Sequence, residues 1–290
     1  MSKFKKDPLD NTNTLLTLSS IYNSLTRTEK KIADAIQQDP ETVVYATLTD
    51  LAEKSGVGET SVLRLCRKIG FGGYQEFKLA LAKDLVVPIK NVHSQIEETD
   101  DLSTMAAKIT ADNIQALENT LSLIGIGELQ KAMELIGRAR KIYFFGVGSS
   151  ANTAADGKYR FMRLGFNVEL VSDPHIMAMV ATLMTPDDVV FGISTSGSTK
   201  DLVDAVRIAK QNGASIVCLT SHSRSPLTQQ ANVVLLTKSR ETPLQGGAFS
   251  SKIAQIHVLD ILSTATAINY RDKSYDAIER TAKAVLDKIY

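Results

Sequence analysis

Two short runs in the second half of the chain gather groups that could hold an anion. One is GVGSS at 146–150, closing the apolar run KIYFFGVG; the other is STSGST at 194–199, closing DDVVFGIS. Gly146 and Gly148 permit a tight turn, after which Ser149 and Ser150 fall where a helix would begin; Ser194, Thr195, Ser196, Ser198 and Thr199 surround Gly197 at a second such start. The first N–H groups of a helix have no intrahelical partner and its dipole favours negative charge there, so hydroxyls gathered at that point suit a phosphate. Neither run is a GxxxxGK[ST] phosphate loop. The dinucleotide fingerprint fails as well, because the third glycine is missing and no acidic residue ends the second strand as a ribose ligand. Either run alone also serves as a plain strand-to-helix turn. Two of them, at the carboxyl ends of the first and third strands, border the crevice in which open α/β sheets hold ligands.

A second chemistry lies near the N-terminus, in TLTDLAEKSGVGETSVLRLCRKIGF. Thr49 is expected to cap a helix running through Lys54, with Leu51 and Ala52 inward. Ser55, Gly56 and Val57 form a turn, and a second helix from Glu59 to Ile69 buries Val62, Leu65, Cys66 and Ile69. Thr60, Ser61, Arg64, Arg67 and Lys68 are then left outward. Thr60, Ser61 and Arg64 lie in the first turns, which meet base edges in groove-reading helices, while Arg67 and Lys68 suit phosphates. A solvated basic face in an ordinary three-helix domain would show the same spacing.

The elements that must position these groups divide the chain. Apolar residues recur at helical spacing from about 14 to 86, and the polar stretch at 88–101 has neither helical nor strand periodicity. A helical segment follows at 102–124. After Arg140, five apolar runs (KIYFFGVG, FNVELV, DDVVFGIS, ASIVCLTS, NVVLLTK) alternate with helical patterns at 150–164, 174–184, 199–212 and 225–231, and two more helices close the chain near 250–269 and 275–289. Continuous apolar runs suit strands buried on both faces. The fold class is therefore α/β: an N-terminal all-α helix-turn-helix domain at 1–90, a linker and connecting helix at 91–125, and a doubly wound five-stranded parallel sheet at 126–290.

Bulk properties exclude more than they identify. A chain of 290 residues exceeds one hydrophobic core. It lacks the ~18 consecutive apolar residues of a membrane span, and its first residues lack a secretory apolar stretch, so a cytoplasmic, non-membrane protein is expected. Cys66 and Cys218 stand apart without a CxxC, so buried thiols are expected and no metal or cofactor. The net charge is +1, yet Arg64, Arg67, Lys68, Lys78, Lys83 and Lys90 face only Glu59, Glu76 and Asp84 within 59–90.

The run SVLRLCRKIGFGGYQEFK, preceded by LTRTEKKIADAI, resembles the N-terminal domain of the RpiR family of transcriptional regulators. Relatives commonly start the reading helix with Ser where this chain has Gly58, a cap weaker by a few tenths of a kcal/mol. The order and content of the two hydroxyl-rich loops resemble the SIS (sugar isomerase) domain over roughly 130–268. The resemblance implies that Ser194–Thr199 grips the phosphate of a sugar phosphate and that Ser149 or Ser150 contacts sugar or phosphate. ETPLQGGAFSSKIAQIHVLD resembles the segment that closes the sugar site, often on a neighbouring subunit, with Glu241, Ser250, Ser251 and His257 as its polar members. It further implies a homodimer or homotetramer on a palindromic DNA operator, repression of a carbohydrate or amino-sugar catabolic operon, and an amino-sugar phosphate such as N-acetylmuramic acid 6-phosphate as effector.

An aldose–ketose isomerase or lyase with an accessory helical domain is the alternative. It would need a base beside the substrate carbon, for which only Glu241 and His257 offer themselves. The residue after Gly197, often larger and polar in SIS enzymes, is Ser198 here, and fusion to a DNA reader also favours a sensor without catalytic residues. A sugar-phosphate-dependent protein-binding module is a third reading, distinguished by having no DNA affinity at any salt.

Overall fold

The computed structural model describes residues 14–85, 96, 97, 99–238 and 249–288. The described residues pack as two units, one ending at Ile109 and the other beginning at Thr110.

Among the described residues, the first unit contains α1 (Thr14–Ile21), α2 (Arg27–Gln38), α3 (Pro40–Tyr45), α4 (Leu48–Lys54), α5 (Glu59–Lys68) and α6 (Tyr74–Leu85). Leu18, Ile32, Ile36, Leu51, Val62, Leu65, Phe77 and Leu81 meet in one core. Short helices need well-made ends. Thr26 and Glu29 form a reciprocal capping box on α2, and Asp39 caps α3 with Pro40 in the first turn. The expected cap of α4, Thr49, is displaced by Thr47, which forms a capping box with Asp50 (Thr47 N–H to Asp50 2.9 Å, Asp50 N–H to Thr47 Oγ1 3.0 Å). Thr49 instead turns inward and donates to Glu59 Oε1 at 2.6 Å, tying the start of α5 to α4. The α4–α5 turn is a Schellman end: Val57 N–H reaches Ala52 C=O at 2.9 Å and Gly56 N–H reaches Glu53 C=O at 2.9 Å. It requires the left-handed φ of +61° at Gly56.

A long helix α7 (Leu102–Leu123) spans the boundary between the units and is followed by α8 (Ile126–Arg138). The second unit is an α/β fold with β1 (Lys141–Phe145), α9 (Ser149–Arg163), β2 (Val168–Val171), α10 (Pro174–Thr182), β3 (Asp188–Ile193), α11 (Lys200–Gln211), β4 (Ser215–Thr220), β5 (Val233–Leu236), α12 (Phe249–Asn269) and α13 (Arg271–Lys283). All strand pairs are parallel, in the order β2-β1-β3-β4-β5. Side chains alternate across the sheet. Phe144, Phe191 and Val217 pack with Ala132, Ile136, Phe161 and Val258 of α8, α9 and α12 on one face, while Phe145, Val190 and Cys218 pack with Met177, Leu202 and Val206 of α10 and α11 on the other.

The expected helix at 225–231 is a succession of turns, with Gln229 N–H on Ser225 C=O and Gln230 N–H on Leu227 C=O. Ser225 bonds Thr228 locally and Leu227 N–H is taken by Gly197 C=O, so the segment's backbone is committed to the neighbouring loop. Strand order reverses between β1 and β3, the neighbours whose following connections leave in opposite directions, and the crevice at their carboxyl ends receives both hydroxyl-rich loops.

Candidate functional site

In the crevice, the first loop turns at Gly146, where an added Cβ would lie 2.7 Å from the Ser150 carbonyl oxygen, so the chain doubles back tightly onto α9. Ser149 is exposed and Ser150 half-buried, and neither hydroxyl is held by a hydrogen bond among the described residues. The second loop is more tightly organised. Ser194 is buried, its Oγ 3.1 Å from Thr199 Oγ1 and accepting the Gly197 N–H at 3.1 Å. Ser196 Oγ accepts the Ser198 N–H at 3.3 Å, and Ser198 Oγ donates to Ser196 C=O at 3.2 Å. Gly197 takes φ +61°, and an added Cβ would stand 2.2 Å from Ser225 Oγ, so both backbone angle and space demand glycine. The carbonyl of Thr195 is fixed by the Thr220 hydroxyl at 3.1 Å and the Ser221 N–H at 3.0 Å.

Neither α9 nor α11 carries a side-chain cap, which leaves their first N–H groups directed at the crevice. The lining of the two loops is neutral: hydroxyls and amides, with no carboxylate in either run. Such a set can bind and orient an anion. It contains no group that could abstract a proton from carbon.

The two loops are joined by residues that loop motifs do not reveal. Gln255 on α12 is 1% exposed; its Oε1 accepts from Thr153 Oγ1 of α9 at 3.1 Å and its Nε2 donates to Thr195 Oγ1 at 3.1 Å. One turn earlier, Ser251 is buried with its Oγ unpartnered among the described residues. Ser250 and His257 are half-buried on the same helix. Glu241 lies outside the described residues.

On the helical unit, α5 exposes Thr60, Arg64 and Arg67 and half-buries Ser61. Neither guanidinium has an ion-pair partner among the described residues. Lys68 is placed differently: its ammonium meets the buried Glu29 carboxylate at 2.8 Å and Ser24 C=O at 3.3 Å, so its charge is spent within the domain. Burial pushes the Glu29 carboxyl upward, but Lys68 and the Thr26 N–H and hydroxyl outweigh it and hold the carboxyl below its ordinary value. No sequence pattern signals a pairing across 39 residues.

Among the described residues, no helix is long and apolar enough to cross a membrane, and no cluster of three or more His, Cys, Asp or Glu is placed to hold a metal ion. Both cysteines are free and buried.

Residues 12–87 match the model of the helix-turn-helix domain of the rpiR family, and residues 135–265 that of the SIS domain. An HTH-type transcriptional regulator of Haemophilus influenzae is 37% identical over 280 residues, which cover 95% of this chain and 97% of that one. A second, from Clostridium perfringens, is 35% identical over 266 residues, with 90% and 95% covered. The structure of Vibrio vulnificus NanR complexed with ManNAc-6P is similar at a TM-score of 0.86 and 31% identity, covering 96% of this chain and 99% of that one.

Proposed function

The chain belongs to the rpiR family of helix-turn-helix transcriptional regulators that carry a SIS domain, and from that premise we propose that it is a DNA-binding regulator whose effector is a sugar phosphate. The observation that carries the effector assignment is the pair of neutral, hydroxyl-rich loops in the crevice at the β1/β3 switch point, each with an uncapped helix start. In this reading the phosphate sits in the 194–199 loop, held by Ser194, Thr195, Ser196, Ser198, Thr199 and the N–H groups that start α11. Ser149 and Ser150 meet the sugar or the phosphate from the α9 side. Glu241 closes the sugar side. The phosphorylated amino sugar in the NanR structure supports an effector of that class.

DNA is read by Thr60, Ser61 and Arg64 at base edges and by Arg67 at phosphate, with Lys68 holding the reading helix against α2. Homodimers or homotetramers read a palindromic operator, and the protein represses a carbohydrate or amino-sugar catabolic operon in the cytoplasm. In this reading the sugar phosphate is bound and released unchanged: the two hydroxyl-rich loops carry neither carboxylate nor imidazole, and the residue after Gly197 is the small Ser198.

A thermal-shift series with ManNAc-6P, other phosphorylated amino sugars and the unphosphorylated sugars tests the assignment. A ligand that binds only the folded protein raises the melting temperature, so the phosphorylated compounds are expected to do so and the free sugars not. No shift across the phosphorylated series would remove the effector assignment.

A further inference from the structure

The crevice needs hydroxyls that donate to an anion, yet a threonine hydroxyl can donate or accept, and its surroundings decide which. At Thr195 the decision is taken by a residue outside both loops. Gln255 Nε2–H fills an acceptor site of Thr195 Oγ1, which leaves that hydroxyl's own hydrogen free to point elsewhere. The Gln255 oxygen takes the Thr153 hydroxyl on α9, and in this orientation the amide turns its N–H side to Thr195. Gln255 and Thr153 are each 1% exposed, so bulk water offers that amide no alternative partner, while Thr195 is half-buried at the crevice. The backbone of Thr195 is already pinned through its carbonyl, so the one freedom left to the residue is the direction of its hydroxyl.

Resting on the reading that a sugar phosphate occupies this crevice, we propose that Gln255 is the positioning residue of the anion site: it commits the Thr195 hydroxyl to donate to the phosphate, and it ties the loop after β3 and the start of α9 to α12. The polar chain Thr153–Gln255–Thr195 links three elements separated by 102 and 60 residues in sequence. Binding of an anion at Thr195 is thereby registered by α12 without any contact between ligand and Gln255.

Gln255→Met keeps the length of the side chain and removes both polar atoms. In the full-length protein it is expected to weaken ManNAc-6P and inorganic phosphate binding by about tenfold, as loss of one directed donor implies. Thr195→Val removes the hydroxyl that Gln255 directs. In that background Gln255→Met should cause no further loss of phosphate affinity, while still lowering the melting temperature of the unliganded protein as it does alone. A merely structural role predicts the reverse: affinity losses that multiply, or phosphate affinity unchanged by Gln255→Met, and either result overturns the proposal. Should Gln255→Met not fold, Gln255→Glu retains length and the Thr153 bond but draws the Thr195 hydroxyl to its own carboxylate; affinity equal to wild type would then overturn it. If the wild-type protein binds neither ManNAc-6P nor inorganic phosphate, the sugar-phosphate reading falls and this inference falls with it.

Discussion

Arg67 and Lys68 are adjacent and carry the same charge, yet the structure gives them different work. Lys68 neutralises a carboxylate that would otherwise be buried alone, whereas Arg67 extends into solvent. Lys68→Ala is therefore expected to destabilise the helical unit by about 1–2 kcal/mol, a value reduced for the partial exposure of the ammonium. Arg67→Ala should leave stability within about 0.5 kcal/mol and lower the salt slope of DNA binding by about one. Arg64→Ala should weaken specific operator binding by about 1–3 kcal/mol. Melts followed by circular dichroism, set beside DNA titrations at several salt concentrations, separate the three. The Glu29–Lys68 contribution also has a defined pH sign. The folded carboxyl binds its proton less readily than the unfolded one, so the stabilisation is present at neutral pH and is lost as pH falls below the unfolded value and through the folded one.

At the scale of elements, the end of α3 rests on a buried cation. The Lys78 ammonium, 7% exposed, donates to Ala46 C=O at 2.8 Å, where the Tyr74 hydroxyl also donates at 3.1 Å. Burial pushes its pKa down from 10.5 to about 8, against the opposing pull of Asp50. Between those two values the unfolded chain binds more protons than the folded one, so stability attributable to Lys78 rises with pH across that window. Lys78→Met is expected to raise the melting temperature at pH 7, by an amount equivalent to about 1–2 kcal/mol, because Tyr74 still serves the carbonyl. The advantage over wild type should shrink as pH climbs past 8. The Cys66 thiol in the same core, pushed up to about 12 by burial, acts in the opposite sense above its ordinary value, but it is common to both proteins and cancels in the difference. An advantage constant from pH 7 to pH 10 would show that folding leaves the Lys78 pKa at its ordinary value.

Legibility followed the range of the interaction. The strands were readable because both faces of the sheet are covered, and α4 and α5 because their apolar spacing and the Gly56 turn are local. The cap of α4 lies two residues before the expected Thr49, since Thr47 and Thr49 offer the same hydroxyl and only the fold sends Thr49 to Glu59. The 225–231 segment has helical composition but spends its polar groups on Gly197 and on itself. The hydroxyl loops could be named from sequence, whereas Gln255, which joins them, could not: an amide inside an amphipathic helix carries no signature when its partners lie 60 and 102 residues away.

For the whole molecule, regulation requires that occupancy of the crevice and the DNA affinity of the α5 face depend on one another. A coupling of about 1–3 kcal/mol, roughly 5- to 150-fold in affinity, is enough. Linkage makes that factor reciprocal, so saturating operator DNA must change the affinity for the sugar phosphate by the same ratio as the sugar phosphate changes affinity for the operator. The double variant Ser194→Ala, Ser196→Ala removes the hydroxyls that organise Gly197 and Ser198. It is expected to bind operator with wild-type affinity and to show no change on adding the sugar phosphate, and a preserved response would move the phosphate elsewhere. Isothermal titration of the sugar phosphate into free and operator-bound wild-type protein supplies the other half of the cycle. Equal factors in the two directions identify two distinct sites joined through the protein. Sugar phosphate that abolishes DNA binding without limit as its concentration rises would instead mean that the two ligands exclude each other, and the crevice would then be a competitor's site rather than a sensor's.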